Sequence, residues 1–271
     1  MVEIKTPAEI QAMRGAGQVV AEILAAVQDQ AKAGMRTAEL DEVARDVLAR
    51  NGAYSPFLNY QPGFAPVPFP AVICTSVNDA ALHGIPGRYK LADGDLLSVD
   101  CGAVLDGWTA DAAVSFTIGP PPTSSVHEGP PPPGPSSYDA DKRLIDVTRD
   151  ALRAGIAAAV PGARIGDISA AIGAAGRAAG YGICTDFGGH GVGRAMHEDP
   201  HIPNEGAPGR GRRIVPGLVI AIEPWFLAGG KDVYRIDDDG WTILSGDGSR
   251  AAHAEHTVAV TADGPQILTM L

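Results

Sequence analysis

Two acidic residues in this chain close runs of apolar residues, and an ionised carboxylate in such a place is costly to bury unless something cationic neutralises it. One is Asp100, at the end of Leu96-Leu97-Ser98-Val99-Asp100. The other is Glu223, at the end of Leu218-Val219-Ile220-Ala221-Ile222-Glu223. Asp111, His190 and Glu255 stand in contexts with equally little use for a buried polar side chain. Against 32 Asp and Glu the chain has only 21 Lys and Arg, so a pair of divalent cations is a natural neutraliser for these five potential ligands.

Asp100 and Asp111 sit on a readable hairpin. The strand-like runs Leu96 to Leu105 and Trp108 to Ile118 are separated by Asp106-Gly107, a dipeptide that favours the tight two-residue turn. Pairing Leu105 with Trp108 sets Asp100 opposite Ala113 and Asp111 opposite Gly102. The two aspartates then share a face as diagonal neighbours, with backbones roughly 7–8 Å apart, and both can reach one metal centre.

Composition bounds the remaining possibilities. The 271 residues suffice for one large core or two small ones, and the mean hydropathy of +0.03 is that of an ordinary globular protein. No stretch approaches a membrane span. The opening Met-Val-Glu-Ile-Lys-Thr-Pro-Ala-Glu lacks the basic and apolar stretches of a signal peptide, which predicts a cytoplasmic protein. Cys74, Cys101 and Cys184 are odd in number and far apart, arguing against a disulfide framework and against a zinc knuckle. With a net charge of −11 and no basic stripe, direct nucleic-acid binding is not expected.

Helices are clearly punctuated. Thr6-Pro7-Ala8-Glu9 forms a capping box with proline at the first helical position. Further helices are predicted over Thr37 to Arg50, Ala140 to Ala159 and Asp167 to Ala179, each stopping near a glycine or proline. Ala33-Gly34-Met35-Arg36 and its helix ending at Gly52 match Pro161-Gly162-Ala163-Arg164 and its helix ending at Gly180, at one shared offset. Gly94 to Asp100 similarly resembles Gly217 to Glu223. This pattern suggests two related halves, each donating a strand-end carboxylate to a site between them. Residues 119–137 are dominated by proline, serine and glycine and are expected to form a loop insertion.

Histidines complete the constellation. His190 stands among the glycines of Gly188-Gly189-His190-Gly191-Val192-Gly193, where the backbone can approach a metal or substrate closely. His197 follows seven residues later and is able to project into the same cavity, and His83 precedes a turn at Gly84-Ile85-Pro86. His127, His201, His253 and His256 are assigned ordinary structural roles.

Asn78 to Pro86, the Asp100 and Asp111 hairpin, the Gly-Gly-His-Gly-Val-Gly loop, Met196-His197-Glu198-Asp199-Pro200, Ile222-Glu223-Pro224 and Glu255-His256-Thr257-Val258 occur in the order and spacing of type I methionine aminopeptidases. The likeness covers nearly the whole chain. It implies a single catalytic domain over 1–271 with the α+β pita-bread fold, in which helices lie outside a curved antiparallel sheet built from two pseudo-symmetric halves.

It also implies roles. Asp100 would chelate one metal ion, Asp111 and Glu255 would bridge two, and His190 and Glu223 would complete the first site. The two divalent ions would be Co, Mn, Fe or Zn, with an oxygen-rich donor set suiting Mn, Fe or Co better than a closed tetrahedral zinc site. Glu223 would accept the proton of the attacking water, His197 would bond the carbonyl or developing oxyanion, and His83 would contact the backbone at the scissile amide. Phe69, Cys74, Met196 and Trp241 fall where the family surrounds the methionine side chain. Leu82 is bulkier than the residue usual there and is expected to narrow the space for the second substrate residue. Substrates would be N-termini of nascent polypeptides, with the ribosome as a place of encounter, and the enzyme would be a monomer away from membranes.

Two alternatives share these features. X-Pro aminopeptidases and prolidases resemble chains with an added N-terminal domain, for which the residues ahead of Asp100 leave no room. A non-catalytic pita-bread binding protein would be expected to have lost ligands, and all five are present.

Overall fold

Thr6 accepts a hydrogen bond from the backbone N–H of Glu9, and the Glu9 carboxylate accepts one from Thr6 N at 2.8 Å, so helix α1 (Pro7–Gln30) starts with the reciprocal cap that its sequence predicts. The computed structural model describes residues 2–120 and 137–271, so the proline-rich insertion expected at 119–137 lies almost wholly outside the described residues. Three more helices follow: α2 (Thr37–Arg50), α3 (Ser137–Ala158) and α4 (Ile165–Ala179). Helices α2 and α4 both begin behind an arginine, Arg36 and Arg164, whose N–H bonds the carboxylate three residues ahead, Glu39 and Asp167. Asp167 is therefore the third residue of α4 rather than its first, because its carboxylate reaches back to satisfy the helix start.

The strands in chain order are β1 (Ile73–Val77), β2 (Ala80–Leu82), β3 (Leu96–Leu105), β4 (Trp108–Thr117), β5 (Gly189–Gly191), β6 (Glu198–Ile202), β7 (Val219–Ile222), β8 (Trp225–Leu227), β9 (Tyr234–Ile236), β10 (Ile243–Ser245), β11 (Ala251–His253), β12 (Glu255–Thr261) and β13 (Gly264–Ile267). The main sheet runs β1-β3-β4-β12-β7-β5-β6, with β13 on β12, and all its pairings are antiparallel. Two short sheets, β2-β10-β9 and β11-β8, accompany it. The β3–β4 register is the one expected: Leu105 opposite Trp108, Asp100 opposite Ala113 and Gly102 opposite Asp111. Asp106 (φ 52°) and Gly107 (φ 75°) both take the left-handed conformation that this turn demands.

Each half brings two helices to its part of the sheet. Val20, Ile23 and Val27 of α1 and Leu40 and Val47 of α2 form one buried cluster with Val99, Cys101 and Ala112 of β3 and β4. Leu144 and Leu152 of α3 and Ile168 and Ile172 of α4 form another with Ile220, Ile222 and Val258 of β7 and β12. Helices thus cover the outer face of the sheet on both sides. This arrangement matches the α+β fold expected, and it leaves the inner face of the sheet to carry polar groups.

Candidate metal centre

Five adjacent strands of the main sheet each deliver one of the five suspected ligands. Asp100 lies on β3, Asp111 on β4, Glu255 opens β12, Glu223 follows β7 and His190 is the middle residue of β5. Register places them on one face. Ala113 pairs with Asp100 on one side and Glu255 on the other, and Asp111 shares its face two residues away. His256 lies opposite Ile222, which brings Glu255 level with Glu223, and His190 lies opposite Ala221, on Glu223's face. The apolar neighbours of each ligand point the other way, into the helices, which is why the runs look like buried strands interrupted by a charge.

Two hydroxyls hold the middle of this arrangement where backbone pairing ends. Thr257 Oγ1 accepts from Asp111 N at 2.8 Å and donates to Asp111 O at 2.8 Å. Ser115 Oγ accepts from His253 N at 2.9 Å and donates to His253 O at 2.7 Å. Thr257→Val would leave both backbone groups of Asp111 buried without partners, at about 1–3 kcal/mol each. For a chain of this size that should lower Tm by roughly 4–24 °C in a calorimetric scan. An unshifted Tm would show that β4 and β12 close without the hydroxyl.

Three carboxylate oxygens of the cluster lack protein partners. Oδ1 of Asp100, Oδ1 of Asp111 and Oε1 of Glu255 are buried with no hydrogen bond, and ligand atoms of Asp111, His190 and Glu255 lie within 4.8 Å of one another. His190 Nε2 is 3.4 Å from Glu223 Oε1, and its Nδ1 is 2.9 Å from Gly191 O, a contact that fixes the ring and leaves Nε2 as the ligating atom. Burial pushes Asp100 up to about 7 and Glu223 up to about 8, with repulsion between them adding to the latter. Asp111 and Glu255 are raised well above the usual carboxylate range by burial and by the neighbouring carboxylates. Burial lowers His190 to about 3, so its imidazole is neutral and available as a ligand. A donor set of four carboxylates and one neutral imidazole, with orphaned oxygens facing one point, fits divalent cations.

A cavity of about 340 Å³ opens over this cluster. Phe69, Cys74, Met196 and Trp241 line it, as expected, and so do His83 and His197. Phe69 and Trp241 meet edge to face at 5.0 Å, giving a rigid aromatic end wall. His83 takes φ 57° immediately after β2 and leaves its Nδ1 buried without a partner; burial lowers it to about 4. The His197 ring stands 4.3 Å from that of His190 and is open to the cavity.

Leu82 does not meet its expectation. It is 2% exposed and packs with Ala81, Trp225, Leu227 and Ile243 behind the site, and it is not among the residues lining the cavity. The left-handed turn at His83 sends the histidine into the cavity while the preceding strand residue stays in the core. Several lining residues were missed from sequence: Tyr60, Phe64, Phe187, Asp186 and His201. The aromatic density between Phe57 and Phe69 was the available signal. His253, assigned an ordinary structural role, is buried with its Nε2 unpartnered at 3.9 Å from Glu223 Oε2.

Residues 11–262 match the model of metallopeptidase family M24. Methionine aminopeptidase 1 of Mycobacterium tuberculosis is 46% identical over 277 residues, covering 100% of this chain and 96% of that protein. The crystal structure of methionine aminopeptidase from Thermotoga maritima superposes with a TM-score of 0.89 at 35% identity, each chain covered completely. The prolidase of Pyrococcus furiosus shares the fold at TM-score 0.72 and 21% identity, and the match spans 65% of its length.

Proposed function

From the premise that this chain belongs to metallopeptidase family M24, we propose that it removes the N-terminal methionine from polypeptides whose second residue is small. The observation that carries this reading is the closed aromatic pocket beside the carboxylate cluster. Phe69, Trp241, Met196 and Cys74 offer an apolar, polarizable lining of the kind that suits a thioether side chain. A methionine seated there leaves its amide over Asp100, Asp111, His190, Glu223 and Glu255.

Those five residues would hold two divalent ions, Mn, Fe or Co in preference to Zn, with Asp111 and Glu255 shared between them. Such a pair supplies Lewis acidity and a water that loses its proton near neutral pH. The chain's own groups do the rest. Glu223, whose carboxylate Oε1 lies 3.4 Å from His190 Nε2 at the cluster, would take the proton of the attacking water and return it to the departing amide nitrogen. His197, a neutral imidazole open to the cavity, donates to the scissile carbonyl as charge develops on its oxygen. His83, on the opposite side and walled by aromatic rings, orients the backbone around the bond. The substrates are the N-termini of newly made chains.

A metal-reconstituted assay comparing Met-Ala-Ser with Ala-Pro peptides tests the reading. Methionine release with no cleavage of Ala-Pro supports it, and the reverse preference would replace it with a prolidase-like activity. His197→Ala should lower kcat by about 10²–10³-fold, the scale of one lost oxyanion donor, with the metal content of the purified protein unchanged by mass spectrometry. An unaltered kcat would take His197 out of the chemistry.

A further inference from the structure

A methionine side chain occupying the pocket formed by Phe69, Cys74, Met196 and Trp241 forces the rest of the peptide out through the mouth of the cavity. The first side chain after the scissile bond must then pass the outer wall. That wall has one large apolar residue that the inner cluster does not absorb. Phe64 lines the cavity and is 43% exposed, yet its ring is held by three aromatic neighbours. It lies nearly parallel to His83 at 6.2 Å (17°) and meets Phe187 and Trp241 edge to face, each at 5.6 Å.

The loop bearing it cannot easily retreat. Asn59 N donates to Phe69 O and Phe69 N to Tyr60 O, both at 2.8 Å, closing the base of the loop. Trp241 Nε1 donates to Val67 O at 2.9 Å, and Pro66 sits so close to Gly240 that an added Cβ there would come within 2.4 Å of it. Pro62, Pro66 and Pro68 remove further freedom within the loop itself. Phe187, across from Phe64, is fixed in turn against Tyr234, whose hydroxyl donates to Asp186 at 2.9 Å. Two braced aromatic rings in contact with each other beside His83 make a continuous wall of fixed position rather than a yielding surface.

We infer that Phe64 is the specificity-determining residue for the side chain following methionine: its ring, in contact with Phe187, forms a fixed wall beside His83 that excludes β-branched and larger residues. This rests on the proposed methionine aminopeptidase activity and names a selectivity that the inner pocket does not provide. Because the rings are held by a proline-rich loop and not by the substrate, the exclusion is built in before binding.

The test measures kcat/KM of metal-loaded protein for Met-Val-Ser and Met-Ala-Ser, with wild type, Phe64→Ala and Phe64→Leu compared. One or two methylenes against an apolar wall are worth about 10–200-fold. The Met-Val to Met-Ala ratio should therefore rise about tenfold or more in Phe64→Ala, with Phe64→Leu between it and wild type. A ratio that stays within about twofold of wild type, or falls, in both variants would overturn the inference while leaving methionine release intact. Wild-type protein that cleaves neither peptide would remove the parent activity, and this inference with it.

Discussion

Asp111→Asn should abolish peptide hydrolysis, by more than about 10³-fold in kcat, and reduce the bound metal to one equivalent or less. Loss of an outer partner of a ligating group already costs 10–100-fold, and on the proposed two-ion reading Asp111 itself would lose one of the two oxygens that serve the ions. The fold should survive, since Thr257 bonds the backbone of residue 111 and does not touch its side chain. The metal-free variant should even melt higher than the metal-free parent. Asp111 is raised well above its ordinary range by burial and by Asp100 and Glu223, so folding without metal near neutral pH forces it to take up a proton that the unfolded chain does not hold, a cost that Asn does not carry. Measured together, metal stoichiometry, kcat and the metal-free Tm separate a bridging ligand from a merely structural residue. Full turnover by metal-reconstituted Asp111→Asn would defeat the two-ion site.

Thermal stability of the protein without and with metal should respond to pH in opposite directions. The folded, metal-free carboxylates hold their protons more tightly than the unfolded chain does: Asp100 titrates near 7 and Glu223 near 8, against 3.8 and 4.5 ordinarily. Their contribution is fully present below the ordinary carboxylate range and is lost as pH rises through those folded values. His83 and His190 act the other way. They are lowered to about 4 and about 3, so their contribution is lost as pH falls below the ordinary histidine value of 6.5. Between pH 6.5 and 8.5 only the carboxylate effect remains, and the Tm of chelator-treated protein should fall. A unit of mismatch is about 1.4 kcal/mol, and each kcal/mol moves Tm by about 2–4 °C at this chain length. A decline of about 5–10 °C across the window is expected. With saturating Mn²⁺ under anaerobic conditions the slope should flatten or reverse, because the ions take the place of the protons. Parallel pH profiles with and without metal would mean that the cluster does not hold the ions.

The parts of the fold that were legible in the sequence are those set by neighbours along the chain. Asp106-Gly107 determines the hairpin register to the residue, and with it the shared face of Asp100 and Asp111, because a two-residue turn admits one pairing. Thr6, Pro7 and Glu9 announce the first helix by the bonds they make within one turn. The resemblance added the order of the ligands, which register then placed on five adjacent strands. Leu82 failed because adjacency to His83 says nothing of direction: a single left-handed residue separates a core side chain from a cavity side chain, and no pattern in a three-residue strand reports it. Phe64 was overlooked for the complementary reason. Its place over the cavity is fixed by Trp241 and Gly240, far along the chain, and a phenylalanine between prolines reads locally as an ordinary loop residue.

The middle of the main sheet has a bearing on how the protein is made. Strand β12 lies between β4 and β7 and so joins the half built from α1 and α2 to the half built from α3 and α4. It also follows every other strand of the main sheet except β13 in chain order. Until it arrives, β4 and β7 both present open edges, the condition under which strands recruit wrong partners, and the carboxylates on either side have no Glu255 between them. Each half is able to gather its helices onto its own strands before β12 is made, but the seam can close, and Glu255 can join the other carboxylates, only after it. The strand that joins the halves is therefore also the one that completes the carboxylate cluster, so assembly of the site and closure of the sheet depend on a single segment.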